Sequence, residues 1–158
     1  MNLFYPEHKM ILEALNACEI RYLLIGGYAV IAYGYGRTTG DLDIWIDPSD
    51  VNKKNLLVAF HGLGIMQEDI DLLEKMDFNE ATVFSFGEVP QKIDFLTKIS
   101  QVNFAEAYDN KTVIEFEGLL LPFIRYQDLI LSKIASGRTK DKADIEELQR
   151  IQEYRKKD

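Results

Sequence analysis

The spacing of apolar side chains alternates between helical and strand periods along the chain. Over residues 6–19, Met10, Ile11, Ala14, Leu15 and Cys18 recur as one helical stripe, and Pro6 suits its first turn. Residues 21–25 are a short, unbroken apolar and aromatic run that stops at Gly26-Gly27, as a buried strand would. A compact helical run over residues 28–35 follows, broken by Gly34 and Gly36. Residues 37–40 form a polar loop, and residues 41–47 alternate cleanly up to Pro48, predicting a second strand. Ser49 or Asp50 can cap a helix over residues 51–61 with Leu56, Leu57 and Phe60 inward. Residues 63–76 fit either a short strand or a helical turn.

Two strand-like runs, residues 81–86 and 91–97, flank Gly87-Glu88-Val89-Pro90 as a hairpin. A short helix near residues 102–108 and an Asp109-Asn110 turn lead to two more strands, residues 111–117 and 119–124, around Gly118. From Tyr126 onward the period is helical. Leu129, Ile130, Lys133 and Ile134 make one stripe, residues 137–140 interrupt it, and a last helix runs to about residue 154 with Asp141 as its N-cap. This order predicts an α+β fold, a mixed β-sheet flanked by helices with a C-terminal helical pair.

At 158 residues and 47% hydrophobic the chain can bury one sizeable core. One domain over residues 1–158 is expected, with a core of about residues 20–124 and a helical tail of about 125–154. No apolar run approaches the roughly 18 residues of a membrane span, and the start lacks the layout of a signal peptide. The lone Cys18 excludes an internal disulfide framework and a cysteine-based zinc site. A reducing cytoplasm is therefore the expected location. The net charge of −8 argues against a surface built to grip duplex nucleic acid, though not against a local basic cleft.

The chemistry concentrates between residues 25 and 47. Asp41 and Asp43, two apart in a strand, project from one face while Leu42, Ile44 and Ile46 enter the core. Paired carboxylates on a rigid edge repel each other but suit hard divalent cations, and two such ions about 3.5–4 Å apart can hold phosphates and activate an attacking oxygen. Asp94, a single acid inside an apolar strand, is the candidate third ligand, because an unpaired acid inside a sheet is costly. Gly26 and Gly27, between a strand and a helix, let backbone amides approach a phosphate. No Gly-Lys-Ser/Thr follows, so a kinase-type P-loop is absent.

Strand, Gly-Gly, helix, Asp-x-Asp strand and a later Asp together resemble the nucleotidyltransferase (polymerase beta-like) superfamily in its minimal form. Lys133, Arg138, Lys140, Asp141 and Asp144 resemble the closing motif of its AbiEii-like branch. The resemblance implies Mg2+-dependent transfer of a nucleoside monophosphate from an NTP to an acceptor. Asp41 and Asp43 would hold the metals, and Asp94 would complete the site and help activate the acceptor hydroxyl. The acceptor would be RNA such as a tRNA end, a protein side chain or a small molecule. A toxin–antitoxin role with a cognate partner, a partner-modifying antitoxin, and a non-catalytic nucleotide- or partner-binding module all stay open. Many members carry Gly-Ser where this chain has Gly26-Gly27, so here no serine hydroxyl stands at that place.

The remaining residues have two readings each. Arg37 either steadies a triphosphate or pairs with Asp41 or Asp43. Lys133, on the inward side of its helix, either contacts phosphate or snorkels to solvent. Trp45 either stacks on a base or fills the sheet surface. Asp144 reads as structural. His8 and His61 stand isolated, without the neighbours of a ligand or base.

Overall fold

The computed structural model describes residues 4–157. The elements follow in the order α1 (Pro6–Ala17), β1 (Tyr22–Ile25), α2 (Gly26–Ala32), β2 (Leu42–Ile46), α3 (Asp50–Gly62), α4 (Gln67–Lys75) and β3 (Val83–Phe86). Then come β4 (Ile93–Leu96), α5 (Phe104–Asp109), β5 (Thr112–Phe116), β6 (Leu119–Phe123), α6 (Tyr126–Ser136) and α7 (Thr139–Lys156). Among the described residues the strands form one six-stranded sheet in the order β3-β4-β2-β1-β6-β5. The β1–β2, β3–β4 and β5–β6 pairs are antiparallel, whereas β1–β6 and β2–β4 are parallel. The fold class is thus a mixed sheet with helices, as the alternation of periods predicts.

β1 and β2 are nearly continuous apolar runs because they lie at the centre, covered on both faces. Leu23, Leu24, Leu42, Ile44 and Ile46 are fully buried. Trp45 fills the sheet surface: its indole packs edge-on against Phe104 and its Nε1–H donates to the Thr97 carbonyl at 3.3 Å. The register sets Ile25 opposite Asp43, Asp43 beside Asp94, and Asp94 opposite Ser85. One row across four strands therefore carries both acids.

Several elements differ from the sequence expectation. The buried stripe of α1 is His8, Ile11, Leu12 and Leu15, while Met10 is exposed, because the helix must also cover Tyr28. Residues 67–75 are helical, with Ile70 and Leu73 as the buried pair. α2 begins at Gly26 itself, so the glycines form its first turn. Ser49 caps α3 by accepting from the Asn52 amide. Asn52 is buried and ties α3 to the sheet, accepting from the Arg21 amide and donating to the Arg21 and Asp47 carbonyls. Gly137 ends α6 in the left-handed conformation, and α7 starts at Thr139 with Arg138 as N-cap. Asp141 thus lies inside the first turn and does not cap the helix.

His8 is not isolated. It is fully buried, with Nε2 2.9 Å from the Gln91 carbonyl and Nδ1 3.2 Å from the Tyr28 hydroxyl. A carbonyl only accepts, so Nε2–H donates to Gln91. The imidazole ties α1 to α2 and to the loop between β3 and β4. His8→Ala is expected to lower unfolding free energy by about 3 kcal/mol, from the cavity and the unpaired buried hydroxyl. Urea denaturation of the two proteins measures it.

Candidate functional site

Asp43 and Asp94 meet because β2 and β4 run parallel in register. Asp94 also accepts from the Ser85 hydroxyl, and Lys92 Nζ lies 3.4 Å from its Oδ2. Asp41 stands one residue before β2, not within it, and its carboxylate is felt at Asp43. The three acids share a neighbourhood, yet among the described residues no three His, Cys, Asp or Glu side chains form a ready metal-binding group. Asp43 and Asp94 are a hard-oxygen pair suited to one edge of a Mg2+ shell. Asp41 would have to turn in to join them.

Gly26 and Gly27 are needed for close approach. At Gly26, with φ +67°, a Cβ would stand 2.1 Å from Asp43 Oδ2. At Gly27 a Cβ would stand 2.4 Å from Thr39 Oγ1 and 3.3 Å from an Arg37 guanidinium nitrogen. The 37–40 loop therefore lies directly on the glycine turn, and the Thr39 hydroxyl occupies the place where a residue-27 side chain would be.

Two cavities open at the carboxylates. One, of about 640 Å³, is lined by Gly26, Gly27, the 37–40 loop, Asp41, Asp43 and Asp94, and by the cations Arg37, Lys92, Lys133, Arg138 and Lys140. The other, of about 590 Å³, has a partly apolar wall of Ile25, Ala81, Val83, Leu96, Ile99 and Leu129. Both share Gly26, Asp43, Asp94, Lys133, Arg138 and Asp141.

Arg37 pairs with neither Asp41 nor Asp43. It crosses to α7 and grips Asp144 through two hydrogen bonds, of 3.0 and 3.1 Å. Lys133 does not snorkel: it is buried, 2.9 Å from Asp141 and 3.0 Å from Asp144. Asp144, expected to be structural, is the shared partner of both cations and 2% exposed. Asp141 also accepts from Ser136 and Arg138. Burial alone would raise its pKa, but those bonds and the one from Lys133 bring it down to about 2.

Sequence reasoning underrated four residues at the site. Ser85 and Lys92 touch Asp94 only because β3 and β4 pair as they do. Lys140, in the first turn of α7, forms none of the ion pairs among the described residues, and its charge favours ionised Asp43. Arg138 lines both cavities. The signal for the last two was their place in a basic helix break beside two acids.

Burial pushes the Asp43 carboxyl up to about 6, reinforced by the Asp94 and Asp41 charges and by a hydrogen bond with Asp94, against a smaller opposing effect of Lys140.

Residues 7–154 match a family described as nucleotidyltransferase of unknown function (DUF6036). The crystal structure of a Thermotoga maritima protein described as a candidate nucleotidyltransferase superposes with a TM-score of 0.60 at 13% identity, covering 94% of this chain and 96% of that one. At that identity the likeness concerns the fold. No curated protein matches the chain. Among the described residues no helix is long and apolar enough to cross a membrane.

The raised Asp43 pKa fixes a pH dependence of stability. Between about pH 4 and pH 6 the folded state holds a proton that the unfolded state has released, so stability falls as pH rises through that window. Asp43→Asn removes the effect. In urea denaturation without metal, it should be the more stable protein at pH 7 by about 2–3 kcal/mol and show a flatter profile from pH 4 to 6.

Proposed function

Since this chain belongs to that nucleotidyltransferase family, we propose that it moves a nucleoside monophosphate from an NTP to a hydroxyl-bearing acceptor. The observation that carries this reading is the meeting of the Asp43–Asp94 pair with a cavity lined by five cations at a glycine turn. Asp43 and Asp94, joined by Asp41, would hold Mg2+, which supplies charge neutralisation at the reacting phosphate. Lys140, Arg138 and Lys92 face the same cavity and offer charge to the polyphosphate. In the transfer, the acceptor oxygen bonds to the α-phosphorus and the bond to the bridging oxygen of the β-phosphate breaks. Pyrophosphate leaves with that electron pair, and the hydroxyl proton passes to Asp94.

The finer kinship with the AbiEii-like branch rests on Lys133, Arg138, Lys140, Asp141 and Asp144, which gather at the α6–α7 junction. The partly apolar cavity and the net charge of −8 favour a small molecule or protein side chain over RNA as acceptor. A second reading, a nucleotide-binding module without turnover, is favoured by the pairing of Arg37 and Lys133 with aspartates.

Pyrophosphate release from each of the four NTPs, with Mg2+ and a panel of acceptors, separates the two readings. Asp43→Asn and Asp94→Asn are expected to lose about 100-fold or more of the rate, since metal stabilisation is worth several kcal/mol. Release at the wild-type rate from both variants would end the transferase reading. NTP binding by the wild type without release from any acceptor would leave the binding module in its place.

A further inference from the structure

The loop that roofs the cation-rich cavity is held at both ends by contacts far away in sequence. At residue 40 it packs so closely on the loop between β3 and β4 that a Cβ on Gly40 would stand 2.0 Å from the Pro90 carbonyl oxygen. At residue 39 the Thr39 hydroxyl sits in the space above Gly27. At residue 37, between α2 and β2, the Arg37 side chain reaches α7. The Arg37 guanidinium lies flat on Asp144, Nε to Oδ1 at 3.0 Å and Nη2 to Oδ2 at 3.1 Å. The Asp144 Oδ2 that receives Arg37 also receives Lys133 at 3.0 Å.

This geometry separates Asp144 from an ordinary surface ion pair. Its side chain is 2% exposed, Arg37's 16% and Lys133's 8%. A buried carboxylate with two cations is costly to disrupt, because removing it strands two charges. The two-pronged guanidinium contact also fixes orientation in a way a lysine cannot. Asp144 does not line the cation-rich cavity, whereas Arg37 and Lys133 both do. Its influence on a ligand there must pass through them.

We propose that Asp144 is a positioning residue: by gripping Arg37 and Lys133 together it holds the 37–40 loop down on the Gly26–Gly27 turn, and so sets the affinity of the cation-rich cavity for a nucleoside triphosphate. The affinity clause rests on the transferase or binding reading above; the loop clause stands by itself. Arg37 on this account acts through the aspartate as part of the roof, and the phosphates are met by the cations outside the latch, Lys140 foremost.

The experiment combines hydrogen–deuterium exchange with equilibrium binding of a fluorescent ATP analogue in the presence of Mg2+, on wild type, Asp144→Asn, Arg37→Gln and the double variant. Exchange is expected to rise in residues 35–40 of each variant and to stay at the wild-type level in β1, β2 and β4. Each single variant should lose about tenfold in affinity, and the double variant should lose no more than the worse single one. Unchanged loop exchange in both single variants would overturn the proposal. Losses that multiply in the double variant would also overturn it, because Arg37 would then contact the phosphate independently of Asp144. Arg37→Gln leaves the buried Asp144–Lys133 pair intact, so it carries the test if Asp144→Asn does not fold. If the wild type binds no triphosphate, the affinity clause and the proposed function fail together. Loop exchange then decides the latch alone, a rise supporting it and no rise ending it.

Discussion

Two carboxyl groups brought side by side inside a sheet repel each other, and the parallel pairing of β2 with β4 forces this on Asp43 and Asp94. Neither can retreat. Asp43 lies between the buried Leu42 and Ile44 on a strand whose other face is core, so a register shift that freed it would expose those residues. The glycine turn tightens the constraint from above, since any side chain at residue 26 would collide with the Asp43 carboxylate. What relieves the repulsion is the Ser85 hydroxyl, the partly exposed Lys92 and the charge of Lys140. That is incomplete neutralisation, and it leaves negative charge concentrated at the glycine turn.

The helical tail makes sense as the counterpart of this constraint. Arg37 and Lys133 are near enough to line the same cavity, yet Asp141 and Asp144 hold them. Buried acids on α7 therefore hold positive charge at the cavity that the carboxylate pair also lines.

The parts legible in the sequence were those fixed by local period and by backbone chemistry. The β1–glycine–α2–β2 unit, the β3–β4 hairpin and the single acid in β4 follow from alternation, glycine and the cost of burying a charge. The parts that were not legible depend on partners chosen across the fold. Arg37 and Asp144 are 107 positions apart, and nothing near Arg37 signals that an α7 carboxylate will outcompete Asp41. His8 looked isolated because its partners, Tyr28 and the Gln91 carbonyl, lie 20 and 83 positions away. The α1 stripe was misplaced for the same reason: a buried histidine with two hydrogen-bond partners counts as interior, and an apolar-spacing argument gives it no weight.

Net charge illustrates how a global quantity misleads about a site. The chain carries −8, yet the cavity at the glycine turn sets five cations, Arg37, Lys92, Lys133, Arg138 and Lys140, against four carboxylates, Asp41, Asp43, Asp94 and Asp141. Within a Debye length of about 8 Å in physiological salt, the local balance decides which ligand is attracted, and charges further away are largely screened. A divalent cation on the carboxylate pair would tip that balance further, turning a nearly neutral pocket into one that favours a polyphosphate. A net negative chain and a local cluster of cations are therefore compatible.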